Sequence, residues 1–215
     1  MSDKKGTGKY IIIILVLIGA IVLVWKLTNR IQAPFNSAEI AAAETRMWQA
    51  YYGGNPITLN KELVNLLKKQ FGFRSEDAQN ISISLGVATW NFLHSTGSYE
   101  DEVLPNLVNA YTQIKDVVRG NWNPEEAAKA ELEWWVDRRT PGKNNPKNVG
   151  KSIAKLYSIL YGKTNPYIEK AGLLRAEAAA LRDRLGLNRK NSNEWEQVEA
   201  LLEESYASLI EGIKY

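Results

Sequence analysis

The 215-residue chain has no cysteine and one histidine, His94. Without thiols there are no disulfides, no thiolate zinc sites, no cysteine-ligated iron–sulfur clusters and no thioether-linked haem. A single histidine also removes sites that need two, such as paired E-x-x-H di-iron sites and H-E-x-x-H zinc sites. The D-x-D-x-D-G spacing of a calcium loop is missing too, and no metal or cofactor is expected. Charge of one sign is not in excess: the net charge is +3 with charged residues at 24%, and so small and dispersed a surplus does not argue for nucleic acid. Strand-like alternation is lacking throughout, as is any fixed-period repeat, which points to an all-α domain and away from a solenoid.

One long apolar run is present. Tyr10 to Trp25 carries no charge, lies between Lys9 and Lys26, and ends on aromatic residues of the kind that sit at membrane interfaces. No small-x-small cleavage site follows it closely, so the run reads as an uncleaved signal anchor. The chain then divides into a short tail at 1–9, a transmembrane helix at 10–27, a linker at 28–36 and an all-α soluble domain at 37–215. Lys4, Lys5 and Lys9 precede the span and Lys26 and Arg30 follow it. That bias places the N-terminus inside and the domain outside the cytoplasm.

Hydrophobic periodicity and capping residues predict an irregular bundle of about seven helices in the domain. They fall at 37–52, 59–71, 75–94, up to Arg119 in a segment where Pro105 kinks the helix or starts a second one, 124–139, 149–161, 166–185 and 192 to about 212. Ser75 is the expected cap of the third. That helix carries apolar residues on two faces, Ala78, Ile81, Leu85, Ala88 and Phe92 on one and Ile83, Val87, Trp90 and His94 on the other, which predicts a central position. The helix from Pro166 is expected to bury Tyr167, Ala171, Leu174, Ala178, Leu181 and Leu185, with Arg175 and Arg182 flanking that stripe. Gly150-Lys151-Ser152 imitates the end of a phosphate-binding loop, but Asn145 stands where the first glycine should be and no strand precedes it. A plain helix start explains it.

The best-signposted helix is Pro124 to Arg139. Asn123 suits the N-cap, Pro124 the first turn, and Glu125 and Glu126 the positive end of the helix dipole. At helical spacing Glu131 shares a stripe with Ala127, Trp134 and Arg138 and a neighbouring one with Ala128 and Trp135. Glu44 likewise lies mid-stripe among Met47, Trp48 and Tyr51. A buried carboxylate is costly unless paired or hydrogen-bonded, so each needs a partner, and Arg138 or Arg139 is the nearest choice.

Two explanations compete. Glu44, Glu131 and His94 are the catalytic candidates, with Trp48, Tyr51, Trp134, Trp135, Arg138 and Arg139 as ligand-binding candidates in a helix-lined pocket. Against this, a buried Glu–Arg–Tyr network that fixes helix crossings accounts for the same glutamates, and it is the favoured explanation. The aromatic residues are more simply core, and His94 sits where histidine caps the last carbonyls of a helix.

The segments E-T-R-M-W-Q-A-Y-Y at 44–52, V-L-P-N-L-V-N-A-Y at 103–111, E-L-E-W-W at 131–135 and L-R-A-E-A-A at 174–179 resemble a group of uncharacterised bacterial all-helical proteins. The resemblance covers most of the soluble part. It implies a bacterial origin and a shared domain beginning near Glu44, with the anchor added, and it brings no activity or site residue with it. The functional expectation is a membrane-anchored helical domain that binds a protein partner or small ligand or acts as a scaffold. A membrane-tethered enzyme using the paired glutamates for acid–base chemistry is the alternative. Convergence of Glu44 and Glu131 on one open cavity would favour the enzyme, and separate burial, each against its own partner, the binding domain.

Overall fold

The computed structural model describes residues 35–185 and 192–214. The membrane span expected at 10–27 lies outside them. Among the described residues no helix is long and apolar enough to cross a membrane, and the fold is all-α. The helices are α1 (Ser37–Tyr52), α2 (Pro56–Phe71), α3 (Ser75–His94), the single turn α4 (Tyr99–Glu102), α5 (Leu104–Val118), α6 (Pro124–Arg139), α7 (Pro146–Tyr161), α8 (Pro166–Leu185) and α9 (Ser192–Lys214).

Four Asn-Pro pairs start helices by one mechanism. The side chains of Asn55, Asn123, Asn145 and Asn165 accept from the N–H groups of Thr58, Glu125, Asn148 and Tyr167 at 2.9–3.1 Å, while proline supplies a helical φ where no N–H is needed. This corrects two boundaries. α2 begins at Pro56 rather than 59, and α7 at Pro146 rather than 149, because at both places the Asn-Pro pair caps the helix. Gly150, Lys151 and Ser152 lie inside α7. Ser75 is not a cap: α3 has Arg74 at its N-cap with no side-chain bond, and Ser75 Oγ accepts from Lys68 Nζ at 3.0 Å. Pro105 falls at the start of α5, so the segment divides in two there.

Each long helix packs on its predecessor and successor, and α9 packs back on α1. Eight helices thus close into a ring, with α4 bridging α3 and α5. Neighbours run antiparallel, as short connections require. Lys69 meets Glu39 while Arg46 meets Glu62. On the far side Ser205 and Ser208 donate to the carbonyls of Ala171 and Tyr167. α7 crosses close on α8. A Cβ on Gly172 would lie 2.3 Å from the Gly150 carbonyl oxygen and 2.8 Å from the Ala154 nitrogen, so glycine lets the two backbones touch.

A ring has no central helix, and α3 shows the consequence. Its inner stripe is buried at Ala78, Ile81, Ala88 and Phe92, but the second stripe faces outward, with Ile83 and Trp90 each 54% exposed. The expectation of a helix buried on two sides fails for that reason. On α8, Ile168 is buried and Tyr167 is 41% exposed, because the helix starts with Ile168 turned toward α9.

Candidate functional site

The ring surrounds a cavity of about 420 Å³, partly open to solvent and lined by residues from all eight long helices. Much of its wall is apolar, including Met47, Leu63, Leu67, Phe71, Leu156 and Leu160. Polar groups enter it at two levels.

At the inner level, Glu44 has no exposed surface. Arg175 donates to Glu44 Oε1 through Nη2 at 2.5 Å and Nε at 3.0 Å, and the Tyr206 hydroxyl donates to Oε2 at 2.6 Å. Three helices, α1, α8 and α9, are thereby locked together. The Arg175 guanidinium lies 5.0 Å from the centre of the Trp134 ring, a cation–π contact inside the wall. Burial works against the charge on Arg175, but Glu44 beside it holds its pKa well above the usual arginine value. Glu131 faces the cavity and accepts from the Tyr111 hydroxyl at 2.9 Å and from Trp135 Nε1 at 2.8 Å.

Arg138 and Arg139 are therefore not the partners of either glutamate. They lie seven and eight residues beyond Glu131, about 10 to 12 Å along the helix, and form the second level at the end of α6. Arg138 binds both oxygens of Asp183 at 2.9 Å and the Tyr52 hydroxyl at 3.2 Å. Arg182 pairs with Asp183 as well and stacks on the Tyr52 ring. Arg139 donates to the Phe92 carbonyl at 2.6 Å and packs 3.7 Å over the Phe92 ring.

Glu44 and Glu131 do not form one site. Glu131 lines the cavity, whereas Glu44 stands behind Arg175 and Tyr206, with both oxygens engaged and out of reach of a substrate. His94 is separate again: it is exposed on α3, with Nδ1 2.8 Å from the Trp90 carbonyl oxygen and its ring 4.2 Å from that of Trp90. Among the described residues no group of three metal-binding side chains comes together. No family model, curated protein or solved structure matches the chain.

Trp48, Tyr51, Trp134, Trp135, Arg138 and Arg139 all line the cavity. Sequence reasoning missed Tyr111, Arg175, Arg182, Asp183 and Tyr206 as site residues. For the arginines a signal existed: Arg175 and Arg182 are seven apart and so share a face of α8, and that face is the inner one. Among the described residues, six buried side-chain polar atoms lack hydrogen-bond partners. Four of them, Trp134 Nε1, Arg138 Nε, Tyr157 Oη and Arg182 Nη2, belong to cavity-lining residues, and each can donate a hydrogen bond.

Burial pushes the phenols of Tyr111, Tyr157 and Tyr206 well above the ordinary value, with Glu131 or Glu44 reinforcing the shift, and lifts Tyr161 to about 12. The unfolded chain ionises its tyrosines near pH 10. Their stabilising contribution is consequently complete below about pH 10 and is lost as pH rises through the folded values. In an alkaline titration these phenols should ionise only as the helical circular dichroism collapses. Smooth phenolate absorbance from all ten tyrosines with helicity intact would contradict their burial.

Proposed function

We propose that the domain is a small-molecule-binding ring, held at a membrane by the anchor at 10–27 with the ring outside the cytoplasm, and that it binds its ligand in the cavity without catalysing a reaction. The observation that carries this reading is the cavity itself. Its size, about 420 Å³, and its largely apolar lining with a few convergent polar groups are those of a ligand site. The separation of Glu44 from Glu131 speaks against the acid–base alternative, since no second free carboxylate stands beside Glu131 in the described wall.

The test uses the full chain in phosphatidylcholine nanodiscs, with empty nanodiscs as the blank and 2-naphthaleneethanol as a neutral probe followed by calorimetry. Thr89 lines the cavity, and its neighbour Trp90 projects outward. Thr89→Trp should fill space and weaken binding about tenfold or more, by losing at least ~1.4 kcal/mol, while Trp90→Ser leaves it unchanged. Equal effects from the two, or no binding above the blank, would reject the cavity as the site.

A further inference from the structure

The two polar levels of the cavity carry opposite charge. At the inner level one guanidinium, Arg175, answers two carboxylates, Glu44 and Glu131. At the end of α6 and α8, Arg138, Arg139 and Arg182 answer a single carboxylate, Asp183, which Arg138 and Arg182 share. Arg139 has no carboxylate partner among the described residues; its contacts include the Phe92 carbonyl, the Tyr99 and Tyr51 hydroxyls and the Phe92 ring. Moreover Arg138 Nε and Arg182 Nη2 are buried donors without acceptors. The C-terminal ends of α6 and α8 offset part of this surplus, each with about half a charge, while antiparallel neighbours bring N-termini to the same end of the ring.

An apolar chamber with excess positive charge and unused N–H groups at one end, and a carboxylate on the wall about 12 Å along α6 from Arg139, selects both the ligand and its direction. We infer that the natural ligand is an aryl or alkyl carboxylate, bound with its anionic group at Arg138, Arg139 and Arg182 and its apolar body toward Leu67 and Trp134. Glu131 repels a head group entering the wrong way round. Guanidinium suits this task because its planar fork matches a carboxylate's two oxygens. The inference rests on the cavity being the binding site and adds the chemistry of what enters it.

The discriminating pair is 2-naphthylacetate and 2-naphthaleneethanol, which share a ring system and differ in carboxylate against hydroxyl. In the same nanodiscs the acid should bind at least tenfold more tightly at neutral pH. In Arg139→Gln, whose exposed side chain leaves no carboxylate stranded, the ratio of the two affinities should fall toward one. It should also fall at high ionic strength, as screening weakens the attraction. Equal affinities in the native chain, or a ratio that Arg139→Gln leaves intact, would overturn the inference while leaving the cavity reading standing. Failure of both probes to bind would instead defeat the cavity reading on which the inference depends.

Discussion

Replacing Arg175 with methionine is expected to destabilise the domain by about 3 to 5 kcal/mol, the usual consequence of leaving one charge of a buried pair behind. Methionine restores much of the volume, so the loss measures charge rather than packing. Glu44 would keep the Tyr206 hydroxyl and lose both guanidinium bonds, in a place with no exposed surface. The companion variant separates explanations. Removing both charges, in Glu44→Leu with Arg175→Met, should recover most of the loss, because an apolar pair escapes the desolvation penalty that the ion pair carries. Some deficit should remain, about 1 kcal/mol, for the Tyr206 hydroxyl left without an acceptor. Denaturant unfolding of the three proteins decides the matter. A single variant that melts with the native chain would mean that Glu44 is not held by Arg175, and a double variant no better than the single one would mean that the site is ruled by shape.

Gly172→Ala is the second large effect. Its Cβ would fall 2.3 Å from a backbone oxygen of α7 and 2.8 Å from a backbone nitrogen, and neither atom can rotate aside, so the helices must part. A cost of about 3 kcal/mol is expected, the upper part of the range for overpacking, which lowers the melting temperature by roughly 6 to 12 °C for a domain this size. The same chemical change at Gly86 should have the opposite sign. Gly86 is helical with nothing within 4 Å of its Cβ direction, so alanine there removes backbone freedom from the unfolded chain and should stabilise by about 0.5 to 1 kcal/mol. Thermal scans of both variants check this, and similar shifts at the two positions would contradict the close crossing of α7 and α8.

Local chemistry made the helices legible. Pro124 to Arg139 and Ser37 to Tyr52 run as their caps and stripes require, and Gly72 and Gly162 end α2 and α7 in the left-handed conformation expected of a C-cap. Errors arose where one signal had two meanings. Asn55-Pro56 and Asn145-Pro146 fall outside the helices expected at 59–71 and 149–161, yet proline that cannot continue one helix is well suited to begin the next.

What could not be read was closure. Each helix interface is local along the chain, but the packing of α9 on α1 joins the ends of the domain, and no residue pattern announces it. Without closure the outward stripe of Ile83, Val87 and Trp90 looked like a second buried face. The site was half visible for the same reason. Glu44 and Glu131 stood out because carboxylates on apolar stripes are costly, whereas apart from Trp135, on the same helix as Glu131, their partners come from α8, α9 and α5, more than a hundred residues away in the case of Arg175 and Tyr206. Proximity in sequence favoured Arg138 and Arg139, and the helix rise carries those to the far end of the cavity.

The most direct test of ligand capture inside the ring is photolabelling of the full chain in phosphatidylcholine nanodiscs with a diazirine derivative of 2-naphthylacetate, followed by mapping of the adducts by mass spectrometry. Labels are expected on lumen residues such as Met47, Leu67 and Trp134 and should disappear when unlabelled 2-naphthylacetate is added. Adducts confined to Ile83, Val87 and Trp90 on the outer face of α3, or lumen labelling that the parent acid fails to compete away, would contradict it.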